Sequence, residues 1–217
     1  MEDYAGDLIR GAPAVLILGM QNEFLERGKP ADQAWYKQVL YNIFPLINKA
    51  REMDIPLMFS QETHRDPRYF GYEGTGYRHR GFEKGYPVEG TKAWELAPGL
   101  LPLSPRDYVL RKSRYSCFLG TDLEYLLHLG GTGTLILAGI YSNLSVHYTY
   151  VDALQRGFSV RVAQECVAGT NQELHQGALN QMRFLSEDGV HPLSGILKAL
   201  DVYQENLANR KQGGTGC

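Results

Sequence analysis

Short apolar runs alternate with longer segments whose apolar residues recur at helical spacing, along most of the chain. AVLILGM at 14–20 has the pattern of a buried strand. DQAWYKQVLYNIFPLINKAREM at 32–53 follows, with Leu40, Ile43, Phe44 and Ile47 at helical spacing. Pro45 lies inside that helix and is expected to kink or divide it. IPLMFSQ at 55–61 and RDYVLRK at 106–112 predict a second and a third strand. GTDLEYLLHLG at 120–130 predicts a short helix, with Thr121 as its N-cap and Gly130 as its stop. GTLILAGI at 133–140 is the most apolar strand. VHYTYVDALQRG at 146–157 is a helix starting near Leu144–Ser145 and stopped by Gly157. SVRVAQECVAG at 159–169 is a strand and loop, NQELHQGALNQMRFLSED at 171–188 a long helix, and PLSGILKALDVYQENLANRK a last helix.

Strands alternating with helices predict βαβ units, and so a parallel sheet with helices on both faces. The expected fold class is a single-domain α/β protein, three-layer α/β/α, with a mainly parallel sheet of about six strands. Ligands of such sheets bind outside the carboxyl ends of the strands. That rule selects four junctions: Gly19–Phe24, Ser60–His64, Lys112–Phe118 and Tyr141–Ser145.

With 217 residues the chain fits one domain, and 22 basic against 24 acidic residues favour neither nucleic acid nor an anionic membrane as a partner. No apolar run is long enough to span a bilayer, and the opening MEDYAGDLIRG is acidic and polar, unlike a secretory leader. The expectation is a cytoplasmic protein. Cys117, Cys166 and Cys217 form no disulfide framework and no zinc spacing. The expected layout is an N-terminal extension at 1–11, one domain at 12–205 and a flexible tail at 206–217. A Gly-, Tyr- and Arg-rich insert at 65–90 reads as a lid or an oligomer contact.

Three motif blocks give the chemistry. LGMQNEF resembles the first strand end of the isochorismatase-like superfamily, the cysteine hydrolases, usually V-x-D-M-Q-N-D-F. EGTKAWELAPGL…YVLRKSRYSCFLGTDLEYLL is similar to the family's G-T-x-x-W-E-L…K-x-R-Y-S-A-F-x-G-T-D-L, and LILAGIYSNLSVHYTYVDALQRGFSV to its G-V-x-T-N-x-C-V-x-x-T-x-x-D-A-x-x-x-G-Y-x-V. The likeness runs from about residue 12 to about 200. It implies a Rossmann-like sheet, a small-molecule hydrolase, no cofactor, and a homodimer or homotetramer.

Amidase members of that family use an Asp, a Lys and a Cys: the Asp takes the thiol proton and the thiolate attacks an amide carbonyl. Matched residue by residue, those positions are Gly19, Lys112 and Ser145. Glycine cannot carry a proton, and a serine hydroxyl needs a base. The isochorismatase branch needs no Cys and keeps a pocket Gln, Lys and two Tyr, which here are Gln61, Lys112, Tyr115 and Tyr141. It too needs the first-strand Asp as an acid. Its His after the second Tyr is Asn143. The catalytic candidates are therefore Lys112, Ser145 and Glu62, the last as a surrogate carboxylate beside Gln61. Gly19, Gln21, Phe24, Gln61, Tyr115, Tyr141, Ser142 and Asn143 are the substrate-binding candidates. The expected ligand is a small carboxylate-bearing molecule.

Each candidate has a plainer reading. For Ser145 the plainer reading, a small residue capping a helix N-terminus, is the expectation. Lys112 reads as a pocket cation that binds a carboxylate or stabilises developing negative charge, against a solvated strand-end lysine as its plainer reading; if it is buried facing no aspartate, it is expected to lose charge and serve as a base. Glu23 is a second carboxylate near Gly19, with a structural role expected. Glu62, His64 and His79 invite comparison with the zinc site of nicotinamidases, one Asp and two His; the spacing is loose, exposed loop histidines are the expectation, and no metal is assigned. His147, Tyr148 and Tyr150 read as helix packing and surface, Cys117 and Cys166 as core. The rival to an enzyme is a pseudoenzyme that binds a ligand or partner without turnover.

Overall fold

The run from Ala12 to Leu18 forms β1, and six of its seven residues are buried. A strand covered on both faces needs such an unbroken apolar run. The computed structural model describes residues 8–64, 87–101 and 103–213. After β1 come a short turn of helix α1 (Asn22–Leu25), α2 (Pro30–Glu52), β2 (Leu57–Glu62), β3 (Tyr108–Lys112), α3 (Leu123–Leu129), β4 (Thr132–Ile140), α4 (His147–Gln155), β5 (Ser159–Ala168), α5 (Gln172–Leu185), β6 (Val190–His191) and α6 (Leu193–Gly213).

The six strands form one sheet in the order β3-β2-β1-β4-β5-β6. Every pairing is parallel. One apolar core gathers side chains of α2 and α6, including Val39, Ile43, Leu46, Ile196 and Leu200. The other gathers α3, α4 and α5, including Leu123, Leu127, Tyr150, Ala153 and Met182. The strand order reverses between β1 and β4, where the chain leaves the first half of the sheet for the second. That junction opens a crevice at the carboxyl ends of both strands.

Several element boundaries differ from the sequence pattern, each for a local reason. Helix α2 runs undivided through Pro45. Pro45 and Tyr41, whose carbonyl loses its partner, both lie on the exposed side, where water can bond that carbonyl. Thr121 does not cap α3: Asp122 holds the N-cap position, and the Thr121 hydroxyl accepts from the Leu123 amide at 3.2 Å while donating to the Cys117 carbonyl. Helix α5 stops at Leu185, because a turn from Ser186 to Gly189 feeds β6, a two-residue strand too short to show a pattern. Helix α6 continues to Gly213, into the stretch read as a tail. Residues 65–86, most of the insert, lie outside the described residues, as do Cys217 and His79. Among the described residues no helix is long and apolar enough to cross a membrane.

Candidate functional site

Glu62 closes β2 and Lys112 closes β3, and the two are direct register partners. Parallel neighbours in register present their side chains on the same face of the sheet. The Lys112 ammonium lies 3.3 Å from Glu62 Oε2. Lys112 also donates to the Ser145 hydroxyl at 3.2 Å and to the Arg114 carbonyl at 2.9 Å. Its three protons thus have three partners. The other oxygen of Glu62 meets His64 Nε2 at 3.0 Å. A chain of contacts results, His64–Glu62–Lys112–Ser145, and all four residues are buried.

This arrangement corrects two expectations. Lys112 does face a carboxylate, so it is half of an ion pair rather than a free amine. His64 is no exposed loop histidine: it is 3% exposed and bonded to Glu62. The signal was in the sequence. Glu62 and His64 are two apart at the end of a strand, so they share a face.

Ser145 is not a cap. A π-helical turn, Ser142–Val146, precedes α4 without a break, and neither N-cap carries a side-chain bond. π-turns inside helices recur at functional sites. Here the turn delivers Ser145 to Lys112.

Burial by itself would raise the pKa of Glu62, but the charge of Lys112 and the hydrogen bond from His64 outweigh it and hold the carboxyl below its ordinary value. A carboxyl lowered by folding stabilises the fold above its unfolded pKa, and loses that contribution as pH falls through the folded one. The stability difference between wild type and Glu62→Gln is therefore expected to be constant above the ordinary carboxyl pKa of 4.5 and to shrink below it. Urea unfolding at a series of pH values checks this. A difference that does not vary with pH contradicts it.

Gly19 stands at the end of β1 with φ +64°, the left-handed region. A Cβ built there lies 2.2 Å from the Ile140 carbonyl oxygen. Its amide bonds to the Ser60 hydroxyl at 3.3 Å. In this backbone the end of β1 has no room for a side chain.

The isochorismatase domain model matches residues 13–194. The chain belongs to the isochorismatase family. A probable inactive nicotinamidase of Arabidopsis thaliana is 26% identical over 175 residues, which cover 78% of this chain and 87% of that one. An uncharacterised isochorismatase family protein of Bacillus subtilis is 41% identical over 99 residues, which span 43% of this chain and 54% of the relative. Among solved structures, an isochorismatase family protein from Desulfovibrio vulgaris superposes with a TM-score of 0.74 at 27% identity, covering 92% of this chain and all of that one (100%).

Within this isochorismatase-family fold the remaining candidates divide into two groups. Gln21 and Gln61 lie beside Glu62, but their amides are engaged by the protein. Gln21 bonds to the Glu62 backbone at both its N–H and its C=O, and to the Trp94 carbonyl. Gln61 donates to the same Trp94 carbonyl at 2.9 Å. Trp94, which the sequence reading passed over, holds both glutamines, and its indole N–H donates to Thr63 at 3.0 Å. Phe24 and Tyr141 pack edge to face at 5.8 Å, and Tyr141 packs likewise on Tyr36 at 5.5 Å. The two tyrosines share a hydrogen bond. Burial pushes Tyr36 up to about 12 and raises Tyr141 as well, so both stay neutral phenols.

Ser142 bonds to helix α5 and Asn143 to the loop between β5 and α5. Ser142 Oγ meets His175 Nδ1 at 2.9 Å. Asn143 exchanges hydrogen bonds with Thr170 at 3.0 and 2.9 Å. They fix the π-turn from behind. Tyr115 stacks on Tyr148 with ring centres 5.5 Å apart, three residues from Lys112 and from Ser145 respectively. Tyr150 is fully buried and donates to the Met182 carbonyl. Burial raises the thiols of Cys117 and Cys166, the latter to about 12. Both cysteines are core. Glu23 pairs with Arg27 one helical turn on. Among the described residues no three His, Cys, Asp or Glu side chains come together as a metal site.

Proposed function

We propose that this isochorismatase-family chain is a cytoplasmic hydrolase for a small carboxylate-bearing molecule, with Glu62, Lys112 and Ser145 as its working groups. The contact chain from Glu62 through Lys112 to Ser145 carries this reading. It supplies a carboxylate from β2 where the family motif has an Asp at the end of β1.

In the proposed reaction Ser145 Oγ attacks the carbonyl carbon of an amide, and its proton moves to Lys112 as Lys112 hands one of its own to Glu62. The tetrahedral intermediate collapses and the leaving nitrogen takes a proton from Lys112. Glu62 then returns its proton to Lys112. Water, deprotonated by the same relay, hydrolyses the ester and frees Ser145. The carboxylate of the substrate is held away from Lys112, whose three protons are already engaged. A homodimer or homotetramer remains part of the proposal, on family resemblance.

A binding protein without turnover is the second reading. It is favoured by Gly19 and by the self-satisfied bonding of Lys112, which leaves its ammonium no free donor. The test is product formation, followed by mass spectrometry, on a panel of isochorismate, ring carboxylates, nicotinamide and small amides. Wild type is expected to form product and Ser145→Ala to lose at least about a hundredfold in kcat, the usual scale for a missing nucleophile or acid–base group. No product from wild type, or equal product from Ser145→Ala, rejects the nucleophile assignment.

A further inference from the structure

We infer that Gln21 is a positioning residue: its side-chain amide takes the place of a neighbouring strand and aims Glu62 at Lys112. The inference rests on the reading of Glu62 as a working group. The pairing of β1 with β2 ends at Leu18 and Ser60. At Gly19 the backbone turns left-handed and leaves the sheet. On that side Glu62, two residues further along β2, has no strand to pair with.

Gln21 fills the gap with its side chain. Its Oε1 accepts from the Glu62 amide at 2.7 Å, and its Nε2 donates to the Glu62 carbonyl at 3.0 Å. This is the two-point exchange that a residue of an antiparallel strand would make. The second Nε2 proton goes to the Trp94 carbonyl at 2.8 Å. Gln21 is 0% exposed, and its own amide bonds to the Gly19 carbonyl at 2.9 Å. On the opposite side β3 holds Glu62 in register with Lys112, and the Thr63 amide donates to the Lys112 carbonyl at 2.7 Å.

The consequence follows from strand periodicity. A slip of one residue turns every side chain to the other face. Glu62 is the last residue of β2, beyond the last pairing with β1. Gln21 pins the backbone on the open side, so the carboxylate stays on the face it shares with Lys112, His64 and the Cys117 thiol. The sequence reading placed Gln21 among substrate ligands. Its amide is fully spent on the protein, so it acts through Glu62.

Gln21→Met keeps the volume and removes the amide. With a substrate found in the panel, kcat is expected to fall about tenfold to a hundredfold, the scale of a misplacement of roughly an ångström, with KM within about twofold. A second readout needs no substrate: the carboxyl carbon of Glu62, followed by NMR through a pH titration, is expected to move up toward the ordinary carboxyl range in the variant. A higher KM at unchanged kcat makes Gln21 a substrate ligand and overturns the inference. So does an unmoved Glu62 titration. If wild type turns nothing over, the hydrolase reading fails while the titration still decides the role of Gln21. Should Gln21→Met not fold, Gln21→Glu replaces it. Its protonated acid keeps one donor and one acceptor, so the native Glu62 signal is expected back at acidic pH; a signal that never returns overturns the inference.

Discussion

Lys112→Ala is expected to lower the unfolding free energy by about 3–5 kcal/mol, because it strands a buried carboxylate beside His64. Glu62 is 5% exposed, too little for water to take over the role of the ammonium. For a chain of this size the loss corresponds to roughly 10 °C in Tm. Adding Glu62→Gln to Lys112→Ala removes the stranded charge and is expected to recover more than half of the loss. Thermal melts of the two single variants and the double variant check this. A double variant destabilised by the sum of the two single losses would mean that the pair is not coupled. The same Lys112→Ala protein is expected to be inactive, since the proton path from Ser145 to Glu62 runs through the missing amine.

Gly19→Asp is expected to damage the protein rather than restore the family's first-strand acid. The left-handed backbone alone costs a residue with a Cβ about 1–2 kcal/mol. The new Cβ would also lie 2.2 Å from the Ile140 carbonyl oxygen, which belongs to a central strand and has no flexible end to swing aside. Together these are expected to cost about 3 kcal/mol or more, in the range of severe single substitutions. A Tm lower by roughly 6–12 °C without gain of amidase activity is the predicted result. An aspartate accepted at wild-type Tm would show that β1 readily takes a second backbone path, and that the carboxylate has not been displaced to β2 for lack of room.

The alternation of apolar runs and helical periods was enough to read the layers, the parallel sheet and five of its strands. β6 was invisible because two residues carry no period. The four strand-end junctions were legible because topology alone sends ligands there. The central contact was half legible. Glu62 stood out as a carboxylate at a strand end, and Lys112 and Ser145 as matches to a motif. That Glu62 and Lys112 oppose each other depends on the register between β2 and β3, which 45 intervening residues (63–107) hide. The bonding partners of Gln21, Ser142 and Asn143 were hidden for a similar reason. Their side chains bond to backbone and side chains distant in sequence, so they look like free pocket groups until the fold brings Glu62, His175 and Thr170 to them.

The most direct test of the account compares turnover of one substrate by wild type, Glu62→Gln and Glu23→Gln. Glu23 is the other carboxylate near Gly19, and its pairing with Arg27 gives it a structural part. The account predicts that Glu62→Gln loses at least about a hundredfold in kcat, as expected for removal of a general base. It predicts that Glu23→Gln stays within about twofold of wild type. Full activity in Glu62→Gln, or a collapse confined to Glu23→Gln, would contradict it.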